Sequence, residues 1–506
     1  MRVIQFVFTI AVILVFSACR NSERIEPNIT RVQQTKEQFR PHFHFTPEEK
    51  WMNDPNGLVY HNEYYHLFYQ YYPDSTVWGP MHWGHARSKD LLKWEHLPIA
   101  LYPDSLGYIF SGSAVVDKKN TAGFGKDAMV AIYTYHDPVG EKAGAIDFQT
   151  QGIAYSNDDG MTWTKYSGNP VIPNPGIRDF RDPKVFWNDE KGIWQMALVA
   201  GDHVIFYESS DLKSWIKLSE FRFEDDEDLG VWECPDLFKL PVEGSFEEKW
   251  VLIISHGTGA PNGGSGTRYF IGEFDGTTFI TEQTASKWID YGTDNYAGVT
   301  YNDAPANNRI FIGWMSNWAY AIYTPTKRWR SAMTLPRTLT LHKEGNTYYL
   351  KSKVIDGYKV FLESIASEGE TGDFESEFLQ RSHMSFQVSF DSDLKLEIGN
   401  QFKERFTFGY LKDKGIFYTN RSRSGIVDFN ESFTNPSPQL MKIGDRNTLN
   451  IELFIDSSSI EIFIDEGRYV MTNQVFPENP YTTLRVLSQN TAISGFKAER
   501  IESTTK

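Results

Sequence analysis

Beyond residue 20, no segment keeps apolar residues at helical spacing. Short apolar or alternating stretches recur instead, at 57–61, 65–69, 129–133, 250–254 and 309–314. Gly, Asn, Asp and Pro separate them. Period-two runs bounded by such turn formers predict strands, and the chain is expected to be all-β.

A degenerate repeat runs through the first two-thirds. Ser88, Asp90 and Trp94 have the form S-x-D-x-x-x-W, and Ser209, Asp211 and Trp215 repeat it. Ser156, Asp158 and Trp163 repeat it with one extra residue, and Asp275 with Phe279 makes a weaker fourth copy. The closing aromatics are 69, 52 and 64 residues apart. That step fits one four-stranded propeller blade with variable loops. The Asp is expected to cap a hairpin turn and the aromatic to pack between blades, so the repeat is structural. After about residue 345 the repeat stops and alternating strands such as 459–465 follow, closed by a turn at Glu466 and Gly467. A β-sandwich is the simplest second domain. The linker is expected near 342–367, and the charged stretch 368–377 as a surface loop.

A length of 506 residues favours two domains. A net charge of −16 repels phosphate backbones, so nucleic acid is excluded as a partner. Met1 and Arg2 precede a 16-residue apolar run, too short for a membrane span, that ends in small residues before Cys19. This resembles the lipobox of an exported bacterial lipoprotein, which implies a lipidated Cys19 and attachment to the cell envelope. Arg20 in place of Asp points to the outer membrane in that class. The organisation expected is a signal peptide at 1–19, a flexible tether at 20–38, a propeller at 39–345, and a linker with sandwich at 346–506. The other cysteine, Cys234, lacks an activating His pattern and is expected to be a small buried residue. The acidic run Glu224–Asp228 is expected to be a solvated loop. His82 and His85 lack a supporting ligand set, and no phosphate loop is present, so no metal and no cofactor are expected.

Three clusters set a carboxylate beside an aromatic and a proline. They are Trp51 to Gly57 around Asp54, Phe180 to Pro183 around Asp182, and Trp232 to Asp236 around Glu233. These acids lie 40, 33 and 46 residues before the closing aromatic of their own repeat. Each therefore falls early in a blade, where the first strand lines the central channel, and the three are expected to converge there. Paired carboxylates are the equipment of glycoside cleavage.

The ordered set, with Gln70 to Pro73, Trp78 to Ala86 and Phe110 to Ser113, resembles glycoside hydrolase family 32, the β-fructofuranosidases. The resemblance implies a five-bladed β-propeller followed by a C-terminal β-sandwich. It implies Asp54 as nucleophile, Glu233 as general acid/base and Asp182 as a binder of fructose hydroxyls. Asn53, Gln70, Trp78, Ser111, Arg181 and Trp314 become further substrate contacts. The roles require an ionised Asp54 and a protonated Glu233, with Arg181 neutralising Asp182. Fructan (levan or inulin) or sucrose is the substrate implied, cleaved with retention and from a chain end. An endo-levanase, a fructosyltransferase, a glycosidase acting on arabinans or xylans and a non-catalytic fructan-binding lipoprotein are the alternatives.

Overall fold

A computed structural model describes residues 37–223, 229–366 and 373–504. The leader with Cys19, nearly all of the tether, the acidic run 224–228 and the start of the charged stretch at 368–372 lie outside the described residues.

Five antiparallel sheets precede residue 355. Their innermost strands are Lys50–His61, Tyr108–Asp117, Phe180–Asn188, Trp232–Pro241 and Tyr296–Thr300. Each touches the next, and the fifth touches the first, which closes a ring. The seam is stitched twice: Trp329–Arg330 pairs parallel with Lys50 and Trp51, and Asn302 bridges to Val59. One apolar cluster fills each blade interface.

The repeat does what its composition requires. Asp90 accepts from the backbone N–H groups of Leu92 and Lys93, Asp211 from Lys213 and Ser214, and Asp275 from Thr277 and Thr278. Asp158 accepts from Thr162 in the same way. Each closes the turn between the third and fourth strands of its blade, as short Asx side chains do. The aromatics pack across blade interfaces; Trp163 meets Phe68 of the preceding blade at 5.4 Å.

The fifth sheet runs further than the repeat signals. Thr347–Val354 pairs along its length with Arg337–Glu344, so residue 345 is a hairpin turn inside this sheet rather than a break between domains. A 3-10 turn at Asp356–Phe361 then leads into two six-stranded sheets packed face to face over one core. Of the expected loop at 368–377, Asp373–Glu375 is a strand paired with Thr483–Val486.

The sandwich strand Ser459–Ile464 is buried on both faces. Ile460, Ile462 and Ile464 enter the sandwich core, and Glu461 faces the propeller. Arg337 donates to Glu461 at 2.5 Å and to Asp290 at 2.9 Å. His44, just before the first blade, lies 2.8 Å from both Asp456 and Glu461, one at each ring nitrogen. With an acceptor on each nitrogen, the ring must be doubly protonated. Burial alone would lower its pKa, but the two carboxylates lift it to about 9.

That shift has a sign. A group raised from 6.5 to about 9 stabilises the fold fully below pH 6.5, and the contribution fades as pH rises through 9. The unfolding free energy from denaturant titration should therefore fall between pH 6.5 and 9.5 by an amount on the order of 3 kcal/mol. The His44→Gln protein should start lower and lack that component. Parallel pH curves for the two proteins would disprove the linkage.

Candidate active site

All five innermost strands carry a bulge at the same level. In the first blade Met52 faces Tyr71 and Pro55 faces Tyr69, so Asn53 and Asp54 together face Gln70. Phe110 and Ser111 likewise face Thr134, and Asp182 and Pro183 face Leu198. Cys234 and Pro235 face Ile254, and Ala297 and Gly298 face Gly313. A bulge places two residues against one and re-aims a side chain that the pleat would send sideways. Proline is tolerated inside a sheet at such a point, since no ladder hydrogen bond is lost. Pro183 and Pro235 sit within their bulges and Pro55 directly after its own, so the prolines near the acids mark the bulges. Asp182, Cys234 and Ala297 hold φ of 64°, 47° and 54°. For L-residues such a conformation costs on the order of 1–2 kcal/mol each.

The bulges bring the three acids together. Asp54 is 9% exposed and Asp182 5%, at the floor; the Glu233 side chain is 22% exposed, nearer the mouth. Asp54 accepts from Asn53 Nδ2 at 2.9 Å and from Ser111 Oγ at 2.7 Å. Burial raises its pKa, and these two bonds only partly oppose that. Asp182 is raised to about 7, chiefly by burial, with Arg181 pulling it down and the charges of Glu233 and Asp54 pushing it up.

Arg181 reaches beyond its expected partner. Its guanidinium donates to Asp179 at 2.7 Å and to Glu233 at 3.0 Å, while Asp182 is 3.9 Å away. Asp179 thus steers Arg181. The other acidic neighbour, Asp236, is fully buried below the site and pairs with Lys184 at 3.2 Å.

Below the acids the channel is plugged. Ser113 Oγ donates to the Pro183 carbonyl and accepts from Val185 N–H, both at 2.9 Å. Lys184 also donates to the Thr300 carbonyl at 2.7 Å, and Asn302 Nδ2 donates to the carbonyls of Ala114 and Val185. The void left between acids and plug is about 10 Å³, room for about one water. The pocket is blind.

The sequence model of the family 32 glycosyl hydrolase N-terminal domain matches residues 44–352, and that of the family's C-terminal domain matches 350–503. The chain belongs to glycosyl hydrolase family 32. Among family 32 relatives, the levanase of Bacillus subtilis strain 168 is 46% identical over 480 residues, 90% of this chain and 69% of that one. An extracellular exo-inulinase of Aspergillus ficuum is 38% identical over 91% of this chain and 94% of its own length. The crystal structure of the exo-inulinase from Aspergillus awamori superposes with a TM-score of 0.84 at 36% identity, covering 93% of this chain and 99% of that one.

Within this family 32 pocket the remaining expected contacts divide. Asn53, Ser111 and Arg181 touch the acids directly. Gln70 lies opposite the Asn53–Asp54 bulge, buried, with its Nε2 lacking any hydrogen-bond partner. An unpaired buried donor costs free energy unless a ligand satisfies it. Trp78 is 41% exposed on the rim, its ring 6.1 Å from Phe110. Trp314 differs from expectation: it is 0% exposed, sealed behind the site against Trp51, Tyr296 and Trp318. It supports the wall and offers no face to a ligand.

Two residues escape the sequence reading or exceed it. Tyr296, fully buried, donates its hydroxyl to Glu233 Oε2; burial holds that phenol protonated. Cys234 is buried as expected but is more than filler. Its N–H donates to Asp182 at 3.0 Å, and its Sγ lies 3.5 Å from Asp54 and 3.7 Å from Asp182. Burial and the surrounding acids push its pKa well up, so the thiol stays a donor between two aspartates. His82 and His85 are no metal pair: an odd separation on a strand sends them to opposite faces. His82 meets the Pro80 carbonyl and His85 stacks on Phe68 at 4.0 Å.

Proposed function

We propose that this glycosidase is an exported exo-β-fructosidase that releases fructose from the ends of β-fructans, or from sucrose, with retention of configuration. One observation carries the reading: two deep carboxylates and one nearer the mouth share a blind pocket. A blind pocket admits a chain terminus and stops there. Asp54, on the floor, lies where it can attack the anomeric carbon and form a fructosyl ester. Glu233, nearer the mouth, lies where the leaving oxygen departs; it donates a proton to that oxygen, then takes one from water. Asp182 and Gln70 hold ring hydroxyls, and Asp182 supports the oxocarbenium charge. Such a double displacement needs carboxyl groups about 5–5.5 Å apart. The levanase and exo-inulinase relatives support fructan as the polymer. The leader supports export and a lipid anchor at Cys19.

The test is a product profile from levan, inulin and sucrose, with the anomer of the first product followed by NMR. Fructose as the sole early product, released as the β-anomer, is the expected result. Oligofructosides would make the enzyme endo-acting, transfer products would make it a transferase, and an inverted anomer would remove Asp54 as nucleophile.

A further inference from the structure

A polar cavity near the axis lies away from the catalytic pocket. It opens at the opposite mouth of the channel, where the innermost strands of blades two and three end and the segment 301–309 crosses beneath blade five. Its volume is about 270 Å³, enough for a sugar residue. The plug at Asn302 and Lys184 separates it from the acids, so no single bound terminus serves both.

Its lining has a particular chemistry. Asp117, Asp189 and Asp303 face Lys118, Lys119 and Arg309, so charge is balanced and no net field selects an ion. Lys118 and Asp303 neutralise each other at 2.5 Å, and Asp117 is committed to the N–H groups of Thr121 and Ala122. That leaves Asp189 as an acceptor, Arg309 and Lys119 as donors, and the Asn307 and Asn308 amides as both. Among the described residues the Arg309 guanidinium makes no hydrogen bond or ion pair; it lies over the Phe238 ring at 5.3 Å. Trp187, with Lys119 held 4.4 Å over one face, forms an aromatic wall. Mixed donors and acceptors beside an aromatic, with no net charge, suit a neutral polyol. Asn308 also borders a second cavity, of about 520 Å³, lined by Tyr65, Thr338, Lys351 and Asp356. Asn308 is thus a wall residue common to both.

We propose that the cavity beside Asp189, Asn307 and Trp187 is a second, non-catalytic carbohydrate site that holds part of a fructan chain on the face opposite the catalytic pocket. The inference rests on the fructan reading above. Its use is tethering: a bound strand raises the local concentration of chain ends around the catalytic mouth. A disaccharide gains nothing from it.

The test starts from the Asp54→Asn protein, titrated calorimetrically with a linear fructan tetrasaccharide. Two sites per chain are expected. Adding Asp189→Ala and Asn307→Ala, both at exposed positions, should abolish the weaker site and leave the first unchanged. In the active background the same pair should preserve the rate on sucrose and raise KM for polymeric fructan several-fold. One site with identical curves in both backgrounds would overturn the proposal. So would displacement of the second-site ligand by inorganic phosphate, which would make the cavity an anion site. Absence of binding at either site would refute the fructan reading itself.

Discussion

Replacing Asp54 with asparagine will lower kcat on the order of 10⁴- to 10⁶-fold, the range seen when a covalent nucleophile is removed, and the protein will remain folded. The amide has the same shape but forms no fructosyl ester. Its surroundings can absorb it: the Ser111 hydroxyl can turn to accept, and Asn53 still has an oxygen to donate to. Burial and the charge of Glu233 already disfavour the ionised Asp54, so removing that charge should leave thermal stability unchanged or slightly higher. The measurement is kcat on sucrose alongside a thermal melt. A folded variant within tenfold of the parent rate would end the assignment of Asp54 as nucleophile.

Glu233→Gln will cost less, and unevenly. Loss of a general acid is worth about 10²- to 10⁴-fold where the leaving group needs a proton. Fructan and sucrose have such leaving groups; a fructoside with an activated aryl group does not. The first step on the aryl substrate should fall far less than on the sugars. A small nucleophile such as azide should then restore turnover, because the ester no longer depends on a base-activated water. The amide oxygen introduced at this position still accepts from Arg181, whose other bond to Asp179 persists, so a collapsed pocket is not expected. Equal losses on natural and activated substrates would show that Glu233 is not the acid.

The three carboxylates were legible because each lies within two residues of a proline in a chain otherwise built of strands. That proline lies in or next to a bulge, which turns Asp54 and Asp182 inward and leaves Glu233 at its edge. The blades were legible from Asp90, Asp158, Asp211 and Asp275, because a capped turn needs a particular side chain. The fifth blade was not, because its corresponding turn, at Glu344 to Asn346, uses a glycine and carries no Ser-x-Asp signature. Tyr296 lies on that same unmarked blade, one of 26 tyrosines, and only the closure of the ring brings it to Glu233. The misreading of Trp314 and the unforeseen contacts of Arg181 share a cause. Sequence order says that a residue is near the pocket; the packing of Trp51 and Trp318 decides that Trp314 is walled off, and Asp179 decides which way Arg181 swings. The His44 network was equally silent, since Glu461 reads as the solvent face of an alternating strand until the propeller covers it.

The bulge shared by all five innermost strands separates what folds from what reacts. Strand pairing above and below it continues whatever side chain it presents, so the ring amounts to five interchangeable sockets at one height. Here two hold aspartates, the third aims Cys234 and sets Glu233 at its edge, and the remaining two present Ser111 and the bare Ala297–Gly298 step. New bond-cleaving chemistry could arise in such a molecule by refilling sockets one at a time, with the blades inherited unchanged.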